Sequence, residues 1–171
     1  MYNIGDKIVY PMHGAGVIEA IEDKEILGKK QKYYIMKMPV GGIQVMIPTS
    51  NAEEIGIRNI IKQDETSGVM ETLDKKVSPE SVATTVNWNK RYKENMEKMK
   101  TGNIYEVADV VKTLAYRDKS KGLSTGEKKM FNNAKQILIS ELVLANEDKM
   151  ESSDVEDMIK EKLDNVSKYL N

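Results

Sequence analysis

The chain has 171 residues, 31% of them charged, and a formal net charge of -1, so its overall electrostatics neither demand nor exclude a polyanionic partner. It holds no cysteine and one histidine, His13, which excludes disulfides, thiolate metal sites and histidine clusters. No charged n-region with an apolar h-region is present and apolar runs are only a few residues long, so neither a secretion signal nor a membrane span is expected, and a cytoplasmic setting is.

Residues 1 to about 60 carry β-branched and aromatic segments punctuated by Gly and Pro: Ile8-Val9-Tyr10, Val17 to Ile21, Tyr33 to Met38, and Ile43 to Ile47. In the last, Ile43, Val45 and Ile47 alternate with Gln44 and Met46, which predicts a strand with one buried face and Met46 outward. Four short strands in close succession predict a small, strongly bent sheet or barrel of the Tudor or SH3-like kind. Between the first two, Gly14 and Gly16 permit tight backbone. His13 beside them has no acid adjacent in sequence and no cysteine to pair with, so catalysis finds no support there.

From residue 64 onward the hydrophobic period is helical. Ile104, Val107, Ala108, Val111, Leu114 and Ala115 fall on one stripe after Asn103, with Glu106 three residues on. Ser124 and Glu127 make a capping-box pattern before Met130, Ala134, Ile137, Leu138, Leu142 and Ala145. Ser153 and Glu156 make another before Met158, Ile159, Leu163, Val166 and Leu170, and Ser78-Pro79 suits a further short helix. The architecture expected is therefore α+β in two domains, a small β domain over 1–60 and an all-α bundle of about five helices over 64–171.

Charge is uneven along that bundle. Residues 86–100 and 116–130 each hold five cations and two anions, whereas 146–171 hold eight anions and four cations, so an acidic end masks two basic segments in the total. The first basic segment contains Trp88, the only tryptophan. With Asn87 as N-cap, Trp88, Tyr92, Met96 and Met99 fall within about 80° of arc. That is the pattern of a core stripe, and Trp88 is then a buried anchor. A functional reading competes: in the first turn an indole can project off the helix end, and with Lys90, Arg91 and Lys93 around it suits a protein that holds DNA phosphates and sets an apolar wedge against unstacked bases. Composition does not choose between these.

The second basic segment, RDKSKGLSTGEKK, is no phosphate loop, because Gly122 and Gly126 are separated by three residues and Glu127 follows the second. It reads as a turn between helices, with Lys128 and Lys129 available to phosphates or simply solvated. The acid pairs Glu53-Glu54 and Glu156-Asp157 give no catalytic signal.

In order along the chain, GDKIVYPMHGAGVIEAIE, IPTSNAEEIGIR, NWNKRYKENMEKM and RDKSKGLSTGEKKM together resemble the CarD/CdnL family of bacterial transcription regulators. The resemblance implies a Tudor-like N-terminal domain that binds the RNA polymerase β subunit and a helical domain that contacts promoter DNA. By the same resemblance Trp88 wedges into the minor groove at the upstream edge of the transcription bubble, independently of sequence. Lys90, Arg91, Lys93 and Lys128 hold phosphates, and the protein works as a monomer with no cofactor. It implies a polymerase surface at Lys24, Met46, Ile47 and Pro48, although several relatives carry an arginine where this chain has Met46. No bond is made or broken; better binding to open than to closed promoter shifts the balance toward open.

Two other classes are distinguishable. A peptide-binding module would use Tyr10, Tyr33 or Tyr34 as an aromatic surface over a purely structural bundle. An enzyme acting on nucleic acid would need a catalytic cluster, and none is legible. The N-terminal half also resembles the polymerase-binding domain of transcription-repair coupling factors, but no helicase motor accompanies it.

Overall fold

The computed structural model describes residues 1–77 and 87–166. Strands β1 (Lys7–Tyr10), β2 (Gly14–Ile26), β3 (Lys29–Lys37), β4 (Gln44–Pro48) and β5 (Arg58–Asn59) make one antiparallel sheet in the order β4-β3-β2-β1-β5. Four strands were expected; the fifth is two residues long and carries no alternation to read. A register irregularity between Ile18 and Ala20 interrupts the β2–β3 ladder, the kind of bulge that bends a sheet over its own core.

β2 and β3 run further than their apolar segments. Residues 22 to 25 and 29 to 32 are charged apart from Gln31, so they lack a buried face, yet pairing continues to Ile26 opposite Lys29. The turn between them is Leu27 at φ 54° and Gly28 at φ 79°, two consecutive positive values that match the twist of a two-residue hairpin. In β4 the alternation holds, with Ile47 buried and Met46 outward, but Ile43 precedes the strand and is exposed rather than inward. Ile8, Ile18, Tyr34, Met36 and Ile47 form the sheet's core with Ala52 of the single-turn helix α1 (Ala52–Ile55) and Ile57.

The remaining helices are α2 (Thr66–Asp74), α3 (Trp88–Lys100), α4 (Ile104–Ser120), α5 (Thr125–Ala145) and α6 (Ser152–Asp164). Six α-helices thus stand among the described residues: α1 lies in the sheet domain, where no helix was expected, α2 is one for which no start or stripe was read, and α3 to α6 answer to expected helices. The stripe from Ile104 to Ala115 is buried throughout, as is Met130 to Leu142 at its predicted positions. Asn103 caps α4 by accepting from the Tyr105 N–H at 2.8 Å. The expected cap at Ser153 is displaced: α6 begins at Ser152, and the Glu151 N–H donates to Asp154 Oδ2 at 3.1 Å, because an acidic pair one turn apart satisfies the free N–H groups as well as a serine does. The Ser78-Pro79 helix start and Leu170 lie outside the described residues.

α5 packs on β2, joining sheet and bundle. The Ala15 N–H donates to Ser140 Oγ at 2.9 Å, and Val9, Ala15 and Leu144 form a small apolar cluster across the join. Gly14, at φ 115°, is needed for this approach: a Cβ there would sit 2.8 Å from Ser140 Oγ. Arg58 and Glu141 then clamp the two parts with bidentate bonds of 2.7 Å each, while Glu141 also accepts the Ile61 N–H at 2.9 Å and Arg58 Nε donates to the Gly102 carbonyl. Bidentate pairing fixes orientation as well as distance.

Candidate nucleic-acid interface

Asn87 caps α3, its side chain accepting from the Asn89 N–H at 2.7 Å. Trp88 is therefore the first helical residue, and it is 41% exposed. Burial grows along the predicted stripe, through half-buried Tyr92 and Met96 to Met99 at 1%. The stripe is core at its C-terminal end, whereas the indole at its N-terminal end is exposed and is no buried anchor. The indole stacks on Tyr92, with centroids 5.1 Å apart and planes at 22°. Its Nε1–H donates to Ser124 Oγ at 2.8 Å. Both rings lie against Gly126, where a Cβ would meet them at 3.5 and 3.6 Å.

The expected cations divide. Arg91 is turned inward and is 7% exposed; its Nε and Nη2 donate to Glu127 at 3.2 and 3.3 Å. It is three residues from Trp88, and that spacing carries it over the start of α5 and into the bundle, so its guanidinium is committed to a buried carboxylate rather than offered to a phosphate. Lys90, Lys93, Lys128 and Lys129 are exposed. At 100° per residue Lys90 and Lys93 project from the side of α3 away from the indole, whereas Lys129 lines a hollow with Met12, Tyr92, Met96, Met99 and Met130.

Glu127 is almost fully buried at the first turn of α5. Burial pushes its carboxyl up, but the Arg91 guanidinium and the bonds from Ser124 outweigh it, and the net direction is below the usual carboxylate value. Arg117 adds a third charge, its Nε 3.8 Å from Glu127 Oε2. Asp109 behaves similarly: burial raises it, and Lys98 and Lys112 bring it down overall.

On the sheet, the register places Met46 opposite Ile35, which in turn pairs with Ala20. Lys24 is an even number of residues from Ala20, so it shares that face with Met46 and with Tyr33 and Pro48. Lys24 is exposed and lies 3.1 Å from Glu22. Ile47 points the other way and is 0% exposed, so its place is the core and not a surface contact. The aromatic surface a peptide module would need is mostly absent: Tyr33 and Tyr34 are 8% and 2% exposed, and half-buried Tyr10 lies against the His13 ring at 4.2 Å. The acid pairs Glu53-Glu54 and Glu156-Asp157 are exposed. Among the described residues no acid or histidine cluster is arranged to hold a metal, and no helix is long and apolar enough to cross a membrane.

Ser124, Gly126 and Lys129 are the parts of this site that sequence reasoning did not assign around Trp88. The capping box at Ser124 was legible, but that its hydroxyl also meets an indole on another helix was not.

Comparison with known proteins gives two adjoining family matches, "CarD-like/TRCF RID domain" over residues 2–61 and "CarD, C-terminal domain" over residues 68–160. A Bacillus subtilis (strain 168) protein named "Putative transcription factor YdeB" is 46% identical over 142 residues, covering 83% of this chain and 90% of that protein. The solution NMR structure of the 72-residue N-terminal domain of Myxococcus xanthus CarD matches at 34% identity, covering 34% of this chain and 79% of that one, with a TM-score of 0.31. With the C-terminal match alone spanning more than half of its length, the chain belongs to the CarD family.

Proposed function

We propose that the chain is a non-enzymatic transcription regulator whose sheet domain, 1–60, binds the RNA polymerase β subunit and whose helical domain, 64–171, contacts promoter DNA at the upstream edge of the bubble. The observation that carries this reading is the exposed indole of Trp88 at a helix start, within one locally basic segment and against Gly126 of the other. The N-termini of α3 and α5 converge there, and helix N-termini favour phosphate. Lys90, Lys93 and Lys128, joined by Lys129, supply the cations; Arg91 holds the scaffold instead. The face bearing Lys24, Met46 and Pro48 is the proposed polymerase surface, with an apolar side chain at Met46 in place of a cation.

The mechanism needs no chemical step. An indole set against an unstacked base step gains stacking only once the duplex has opened, so binding is stronger to the open complex and its population rises. Free linear duplex is bound weakly, because nothing compensates for unstacking it. The protein acts in the cytoplasm, as a monomer bound to polymerase and without a cofactor.

The test is the lifetime of open complexes formed by bacterial RNA polymerase, with no factor, wild type, or Trp88→Ala. Wild type is expected to lengthen the lifetime, and Trp88→Ala to lose roughly fivefold or more of it, the scale of one lost stacking contact. A wild-type protein without effect, or a folded Trp88→Ala that matches wild type, overturns the reading.

A further inference from the structure

We propose that Ser124 and Glu127 are positioning residues that hold the Trp88 indole in the orientation it presents to DNA. This deepens the reading of Trp88 as a wedge and rests on it for its functional consequence.

Three polar groups surround one hydroxyl oxygen. A serine hydroxyl has one proton to donate and two lone pairs. Ser124 Oγ lies 3.1 Å from Glu127 Oε1, 3.2 Å from the Glu127 N–H and 2.8 Å from Trp88 Nε1. The indole and the backbone amide can only donate, so both lone pairs are occupied and the hydroxyl proton must go to the carboxylate. An ionised carboxylate accepts only, which makes this the one consistent arrangement. Glu127 thus fixes the direction of the hydroxyl, and the hydroxyl fixes the indole.

The carboxylate is itself held in place. Arg91 from α3 and Arg117 from α4 both reach it, so three helices meet under the ring. Stacking on Tyr92 restrains the plane of the indole and the absent side chain at Gly126 lets both rings lie against α5; the Nε1–H bond removes the remaining choice of which edge faces inward. A ring already restrained in the free protein loses less freedom on meeting DNA than a mobile one, which favours the complex.

Trp88 is the only tryptophan, so fluorescence anisotropy and acrylamide quenching of the full chain report on this ring alone. Ser124→Ala and Glu127→Ala are expected to lower the anisotropy and raise the quenching, whereas Ser124→Thr, which keeps the hydroxyl, restores wild-type values. Ser124→Ala should shorten the open-complex lifetime gain roughly three- to tenfold, the scale of one hydrogen bond. Trp88→Phe keeps an apolar ring without the N–H, and in that background Ser124→Ala should cost little more. An equal cost in both backgrounds, or anisotropy unchanged in Ser124→Ala, overturns the proposal, since the serine would then act only through the fold. If Trp88→Ala matches wild type in lifetime, the wedge reading fails and takes the functional consequence with it; the anisotropy of Ser124→Ala and Ser124→Thr still decides whether these residues hold the ring.

Discussion

Glu127 lies in the first turn of α5 and Glu141 near its other end, about 21 Å away along the axis. Both side chains are at most 3% exposed, and each binds an arginine from a distant element. At Glu141 the partner comes from β5, the geometry is bidentate at 2.7 Å, and a backbone N–H completes the set. At Glu127 the bonds are longer, between 3.1 and 3.4 Å, and spread over Arg91, the Ser124 hydroxyl and the Ser124 N–H. One carboxylate clamps the sheet to the bundle; the other gathers three helices beneath an exposed ring. The same buried ion pair can thus secure a fold or aim a side chain, and what decides is whether a neighbouring donor reaches the surface.

The largest expected effect breaks the pairs themselves. Arg91→Ala strips the buried Glu127 of its principal cation and should cost about 3–5 kcal/mol in urea unfolding of the full chain. Glu141→Ala should cost less, about 2–3 kcal/mol, because the Arg58 side chain it leaves behind is 31% exposed and can turn to solvent. If Glu141→Ala proved the more damaging, the clamp between sheet and bundle would be the dominant restraint and the contrast would reverse.

Acid tests the Glu127 end next. The folded-state pKa of Glu127 is lowered, so its contribution is fully present above the unfolded value of about 4.3 and is lost as pH falls through the lower folded value. Wild type should lose stability over that window, and Glu127→Gln, less stable at neutral pH, should show a flatter acid limb. Asp109 is lowered too and leaves a residual slope in both proteins. Identical acid limbs in stability-against-pH curves would remove Glu127 from the comparison.

The smallest effect on stability is expected from the lysines outside these networks. Lys90→Ala with Lys93→Ala should change unfolding by no more than about 0.5 kcal/mol, since both are exposed and Lys90 lies 4.0 Å from Glu94 on the open surface. The same pair should shorten open-complex lifetime and flatten its salt dependence, because phosphate contacts release counterions. Salt dependence identical to wild type would leave α3 contributing its indole alone.

Much of the fold was legible because burial imposes a period. The stripes of α4 and α5, the alternation in β4 and the cap at Ser124 each state a local physical requirement in local sequence. The length of the β2–β3 hairpin was not legible, since a solvated ladder needs no apolar face. Nor was β5, which is too short to show a pattern, or the start of α6, where acidic residues displaced the serine expected at its cap.

At the candidate site the division is sharper. Trp88 could be singled out from sequence, together with its cap and its cationic neighbourhood. Sequence alone also grouped Arg91 with Lys90 and Lys93, since all three are cations within one turn of helix. Only the packed structure separates them, because which face of α3 meets α5 is set by two helices far apart in sequence, and that face carries Arg91 to Glu127. By itself the sequence determined where the strongly patterned elements lie and which of their faces must be buried, because periodicity and capping are properties of neighbours along the chain. Tertiary structure alone decided which charges are enclosed, that Gly14 and Gly126 are points of close approach, and that a serine capping one helix orients the indole of another, because each depends on groups that only folding brings together.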